Sequence, residues 1–224
     1  MTDIARHLPE GITWLRAGVS SIPVVGGALD HLIFDKADAI RVKNIEAALA
    51  AIKQQIESVE DETIDKEWFQ SEEALAAFKM MSDKISYEPD PRKVEAIGRV
   101  VSACGNKQHS KDPHKLSVVE HLSRLSATQI KLLSIVSEIE PKERTIEMGG
   151  LNQTGSAIWL SDIIAALHAG PQFWQGTLAV DEELEVLESL NTVRRVQFMG
   201  PAELAYVVTT IGKRAAGYVH TAGL

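Results

Sequence analysis

Cysteine occurs once in these 224 residues, at Cys104, so an internal disulfide and a cage of several thiolates around zinc are both excluded. Such sparing use of cysteine fits a reducing, cytoplasmic setting. Aromatic residues are scarce too, at 5% of the chain, while apolar residues reach 45%. A core drawn mainly from Ala, Leu, Ile and Val is the composition of packed helices, and a mainly α protein is expected. Positive charge is in deficit: 23 Lys and Arg face 31 Asp and Glu, for a net charge of -8. The deficit is even, with 15 basic and 19 acidic side chains in residues 1–116 and 8 and 12 in residues 117–224, so neither half carries the footprint of a polyanion-binding domain. Long apolar runs are missing near the start of the chain, where the longest uncharged stretch, Ala17 to Leu29, is 13 residues. A spanning helix takes about 20. The opening MTDIARHLPEGITWLRAG mixes charged with apolar residues and does not read as a secretory signal.

The sequence also lacks the motifs that carry chemistry. The glycine pairs Gly26–Gly27 and Gly149–Gly150 stand outside any GxGxxG or GxxxxGK[ST] frame, and no serine sits in a GxSxG setting. The acidic stretch EDETIDKEWFQSEE reads as a solvated connection, because acid–base catalysis needs carboxylates that are buried at fixed separation. Of the seven histidines, His109 and His114 lie nearest to Cys104, at five-residue steps with no fourth donor, which predicts a polar loop rather than a zinc site. His121 falls among Val118, Val119 and Leu122 as the edge of an apolar helix face. No catalytic, cofactor-binding or metal-ligating residue is assigned, and the expectation is a protein that is not an enzyme and holds no cofactor.

What is present is helical periodicity. From Val42 the apolar positions run through Ile45, Leu49, Ile52, Ile56 and Val59 in alternating steps of three and four. This seam predicts either the axis of an intramolecular bundle or, less simply, a homo-oligomeric coiled coil. Downstream, Ser71 followed by two glutamates predicts a helix start, and Asp90 with Pro91 predicts another that stops at Gly105. The stripe of the second helix is Val94, Ile97, Val101 and Cys104, which makes Cys104 a small apolar core residue, and Leu49 and Ile52 are expected to pack against Val94, Ile97 and Val101. The polar stretch GNKQHSKDPHK predicts a linker, dividing the chain into a helical domain over 1–110 and a second domain over 116–224. Within the second, KERTIEMGGLNQTGS reads as loop, AIWLSDIIAALHAG as helix, and Val180 to Leu190 as an acidic helix.

The succession LSATQIKLLSIVSEI, WLSDIIAALHAG, VDEELEVLESLNTVRRVQF and YVVTTIGKRAAGYVH resembles the helix, helix, helix, wing and closing helix of a winged-helix domain over residues 126–220. Its most specific parts are LESLNTVRRV and VVTTIGKRAAGYV, although its connections are longer than in compact versions of the fold. With the helical bundle expected of the front half, the resemblance implies a mainly α chain whose C-terminal part is a winged-helix domain with a small β-hairpin. In DNA-binding members the third helix enters the major groove, where phosphate charge demands Lys and Arg. Here that helix bears Asp181, Glu182, Glu183, Glu185 and Glu188 and no basic residue. Specific DNA binding is therefore not expected, and Asp181, Glu182, Glu185 and Glu188 are expected to meet a protein partner. Any nucleic-acid contact would fall to Arg194, Arg195, Lys213 and Arg214 on the wing and closing helix.

The arrangement SSIPVVGGALDHLIFDKADAIRVKNIEAALAAIKQQI has a more distant resemblance to helical proteins of bacterial phage-defence islands, including the abortive-infection alpha family. No residue role carries over from it. The expected function is an interaction or adaptor component of a bacterial defence or regulatory assembly. Two alternatives stand beside it: a membrane-acting abortive-infection effector in which residues 17–34, held at rest to peripheral membrane contact, insert after activation, and a winged-helix transcription regulator.

Overall fold

A computed structural model of the chain describes residues 36–148, 151–169, 179–196 and 204–224. The Pro-Gly-Gly segment and residues 17–34 as a whole lie outside the described residues. The described chain is mainly helical, with eight α-helices and one four-stranded antiparallel sheet. Contacts divide it into two units: the first runs to Ala127 and includes Thr221–Gly223, and the second comprises Thr128–His220 and Leu224. The division falls later than the boundary expected between residues 110 and 116. The polar stretch there is structured, with a 3-10 turn at Lys107–His109, a buried His109, and a backbone hydrogen bond of 2.8 Å from Asp65 N–H to the Gly105 carbonyl.

The first unit contains α1 (Lys36–Ser58), α2 (Glu72–Ile85), α3 (Pro91–Cys104) and α4 (Lys115–Leu122). Local sequence sets the helix ends. The Ser71 hydroxyl accepts from Ala74 N–H at the head of α2, and the Asp90 carboxylate accepts from Arg92 N–H ahead of Pro91 in α3. The α1–α3 contact is the most extensive between helices, and Val94, Ile97, Val101 and Cys104 are all fully buried in the first unit's core. On α1 the buried line is Ile45, Ala48, Ala51, Ile52 and Ile56, while Leu49, expected on the seam, is only half-buried. The cause lies in α3: a Cβ on Gly98 would stand 2.6 Å from the Ala48 carbonyl oxygen. The helices touch backbone to side-chain-free backbone at that point, which puts Ala48 on the contact line and turns Leu49 aside.

The stretch expected to be a solvated connection folds back into this core. Short 3-10 turns at Asp61–Thr63 and Trp68–Gln70 bury Trp68 and Phe69, whose rings meet edge to face at 5.0 Å. Two aromatic side chains amid charges are worth more to the core than the polar neighbours lose by staying at its rim. Trp68 Nε1 donates to Glu73 Oε2 at 2.7 Å, and the buried ammonium of Lys115 reaches the same oxygen at 3.2 Å and the Ser110 carbonyl at 3.0 Å. A charge so deep in the unit is tolerated because it is paired and hydrogen-bonded. Asn44, also buried, donates from Nδ2 to the Ile85 and Glu88 carbonyls and so fastens α1 to the end of α2.

Two histidines make this unit sensitive to mild acid. Burial lowers the pKa of His109 and of His121, and Nε2 of His121 is enclosed without a hydrogen-bond partner. The unfolded chain therefore binds more protons than the folded one below the ordinary histidine value of about 6.5, and stability held above that pH declines as pH falls through it. The melting midpoint should drop between about pH 7 and pH 5.5, before carboxylates titrate, and a His109→Gln/His121→Gln variant should show a flatter profile in the same calorimetric series.

Apart from Ala127 and Thr221, which group with the first unit, the second unit holds α5 (Ala127–Glu138), β1 (Lys142–Met148), β2 (Leu151–Trp159), α6 (Leu160–Ala169), α7 (Val180–Ser189), β3 (Val193–Val196), β4 (Ala205–Val208) and α8 (Thr210–Thr221). Residues 142–159, expected to be loop and then helix, form a β-hairpin registered from Lys142 opposite Ala157 to Met148 opposite Leu151. The pair Gly149–Gly150, which hairpin connections favour, was the signal for it. The sheet order is β1-β2-β4-β3, but β2 meets β4 only through Ile158 and Trp159, so residues 151–157 make a two-stranded ribbon with β1. A two-stranded ribbon is marginal by itself, and this one is pinned at its base. Trp159 Nε1 donates to the Lys142 carbonyl at 3.1 Å, the Arg144 guanidinium lies 4.6 Å over the Trp159 ring, and Lys142 and Arg144 both pair with Asp162 on α6. Beneath, Ala157, Trp159 and Ala205 pack together with Val196 against them.

Candidate functional site

The region singled out in the sequence is built from α7, β3, β4 and the start of α8. Leu184 and Leu187 are fully buried and anchor α7 by one face, which leaves Asp181, Glu182, Glu185 and the half-exposed Val186 on the other. Just beyond the helix, after its C-cap Leu190, stands Asn191, whose φ of 56° is a left-handed conformation that asparagine tolerates. Thr192 follows, wholly buried, with its hydroxyl donating to the Leu187 carbonyl at 2.6 Å. The next turn is stitched to it: Thr209 N–H donates to the Thr192 carbonyl at 3.0 Å, and the Thr209 hydroxyl accepts from Gly212 N–H at 3.0 Å as the cap of α8. Gly212 is required there, because a Cβ would stand 1.9 Å from the Thr192 carbonyl oxygen.

The five carboxylates of α7 are not equivalent. Asp181, Glu182 and Glu183 occupy its first turn, where negative charge complements the helix dipole. Glu183 Oε2 accepts from Gln129 Nε2 of α5 at 2.7 Å. Glu188 accepts the Arg195 backbone N–H through Oε1 at 2.9 Å, and the Arg195 guanidinium reaches Glu185 Oε1 at 3.3 Å and Glu188 Oε2 at 3.7 Å. Of the four residues expected to bind protein, Glu185 and Glu188 thus converge on one arginine, and Asp181 and Glu182 project from the helix without a partner among the described residues.

The basic set is dispersed. Adjacent residues of a strand point to opposite faces, and Arg194 lies opposite Val207 while Arg195 lies opposite Tyr206. Arg194 is exposed; Arg195 is half-buried, and its guanidinium sits 5.9 Å from the Tyr206 ring centre. The hydrogen bond with Glu185 raises the Arg195 pKa further, so the group is a permanent cation. Burial pushes the Tyr206 phenol up, with the neighbouring arginine opposing that shift. Lys213 is exposed and Arg214 half-buried near the start of α8. Strand alternation alone keeps Arg194 and Arg195 from forming one phosphate clamp. Gln129 and Tyr206, which complete the cluster, had no signal in the sequence beyond the alternation of β4.

Among the described residues no group of three or more His, Cys, Asp and Glu side chains is gathered to hold a metal, and no helix is long and apolar enough to cross a membrane. Cys104 is fully buried and its thiol donates to the Val100 carbonyl at 3.4 Å; burial raises its pKa far above the usual thiol range. His114, by contrast, is exposed. The chain matches no known family model, no curated protein and no solved structure.

Proposed function

We propose that residues 127–224 form a winged-helix domain whose acidic third helix binds a protein, and that the chain is a non-catalytic adaptor in a bacterial defence or regulatory assembly. The order of elements supports the fold: α5, the end of β2, α6, α7, β3, β4 and α8 follow the winged-helix succession, with the end of β2 taking the first-strand position beside β4. The ribbon of β1 and β2 is an addition to that plan. The observation that carries the binding mode is the outward face of α7, where Asp181 and Glu182 are exposed beside Val186. Charge of this sign repels a phosphate backbone along the groove-facing helix, while carboxylates around a half-exposed valine suit a protein partner with basic rim residues. The front half's resemblance to phage-defence proteins supplies the setting. The membrane-effector alternative rests on residues 17–34, outside the described residues, and the regulator alternative is disfavoured by the separated arginines.

The test is capture from the native host with tagged wild type and with an Asp181→Lys/Glu182→Lys variant, followed by mass spectrometry. A partner retained by the first and lost by the second is expected. Equal recovery of every protein by both would overturn the acidic-face reading, and sub-micromolar retention of a specific duplex by the wild type would replace it with DNA recognition.

A further inference from the structure

The Glu185–Glu188 pair already holds a guanidinium, that of Arg195, and the chemistry around it is that of a site for a cationic side chain. Glu185 and Glu188 lie one helical step apart on α7, and their side chains are 64% and 35% exposed while that of Arg195 is 29% exposed. Solvent therefore reaches the carboxylates more readily than it reaches the arginine between them and the sheet. Beneath the guanidinium lies Tyr206, fully buried, whose hydroxyl makes no hydrogen bond of good geometry. A buried phenol left in this state costs free energy that a better-placed donor or acceptor would recover. An aromatic floor with two carboxylate walls is the surrounding that guanidinium groups favour, through paired hydrogen bonds and cation–π contact.

We infer that Arg195 is an intramolecular occupant of a guanidinium site on the α7–β3 face, and that a protein partner binds there by inserting an arginine in its place. The inference rests on the acidic-face reading of α7 and names the partner's chemistry: an arginine flanked by residues that meet Val186 and the first-turn carboxylates. Arg195 then acts as a built-in competitor that weakens partner binding. Its backbone N–H bond to Glu188 persists whatever the side chain does, so β3 keeps its place against α7 when the guanidinium leaves.

The experiment measures binding of a fluorescein-labelled octapeptide alternating arginine and alanine, by polarisation at low ionic strength, to the full chain. Arg195→Met removes the competing charge while keeping an apolar stem over Tyr206; Arg194→Met removes the same charge from the opposite face of β3. Release of one solvent-screened ion pair corresponds to roughly a three- to five-fold tightening for Arg195→Met. Arg194→Met should show less than half of that effect, and Glu185→Gln/Glu188→Gln should abolish the gain when added to Arg195→Met. Far-UV circular dichroism and melting establish that each variant is folded, and Arg195→Gln provides a second polar but uncharged version. Equal tightening by Arg194→Met and Arg195→Met would mean that net charge alone is at work and would overturn the inference. Binding that is lost on Asp181→Lys/Glu182→Lys but indifferent to Arg195 would also overturn it and leave the acidic-face reading standing. No binding by any variant would remove both.

Discussion

Gly212→Val is expected to leave the second unit unfolded or melting far below the wild type, and Gly212→Ala to lower its midpoint by a smaller but clear step. The added Cβ has no room to relax into, since the Thr192 carbonyl oxygen would be 1.9 Å away and the Val208 side chain 2.9 Å away. That carbonyl is held in place by Thr209 N–H and the Thr209 hydroxyl, and Thr192 is itself tied to the end of α7. Moving it breaks the junction of α7, β3, β4 and α8 at once. Overpacking commonly costs about 1 to 3 kcal/mol, and a clash with hydrogen-bonded backbone belongs at or above the upper end. In a domain of this size each kcal/mol is worth roughly 4 to 8 °C in melting midpoint. Lys213→Ala, at the exposed neighbouring position, should change stability by less than about 0.5 kcal/mol. Calorimetry of the three variants checks the order, and a Gly212→Ala protein as stable as wild type would show that α8 approaches β3 less closely than described.

The second large effect belongs to α1. Ile52 is fully buried on the line facing α3, so Ile52→Ala should cost about 2 to 5 kcal/mol, a large part of the stability of a single domain. Leu49→Ala, at a half-buried position, should cost less than half as much, and Gln54→Ala, exposed, close to nothing. Urea unfolding of the three variants ranks them without relying on reversibility at high temperature. A Leu49 cost equal to that of Ile52 would move the contact line back to the heptad seam. A midpoint that rises with protein concentration would assign the seam to two chains.

The comparison of Leu49 with Ala48 shows what one sequence can and cannot carry. Ser71, Asp90 and Pro91 act on backbone groups within three residues, so both helix starts were legible, as was the stripe from Val94 to Cys104 that any helix at that spacing must bury. Which face of α1 meets that stripe depended on Gly98, a residue of another helix, and no periodicity within α1 could report it. The hairpin at 142–159 escaped for a related reason. Its polar residues have modest strand propensity, and its footing depends on β4, Trp159 and Asp162. Trp68 and Phe69 were hidden by the charges around them, although two adjacent aromatics in a chain with so few deserved more weight than the acids. At the candidate site the charge pattern of α7 was plain from the sequence. The division of its carboxylates between Arg195, Gln129 and solvent follows from strand register and from the packing of α5, neither of which a local pattern encodes.

The enclosure of Cys104 gives the first unit a chemical clock. A thiol reagent in water finds no target in the folded state, because the sulfur is covered on α3 and its thiolate is suppressed by burial. Reaction must wait for an opening that exposes the C-terminal turn of α3, so where closing outruns modification the labelling rate divided by that of an unfolded cysteine reads out the opening equilibrium directly. Since this is the chain's one cysteine, the signal needs no assignment. The same silence makes the native protein a ready background for a spectroscopic label placed on a cysteine engineered at the surface.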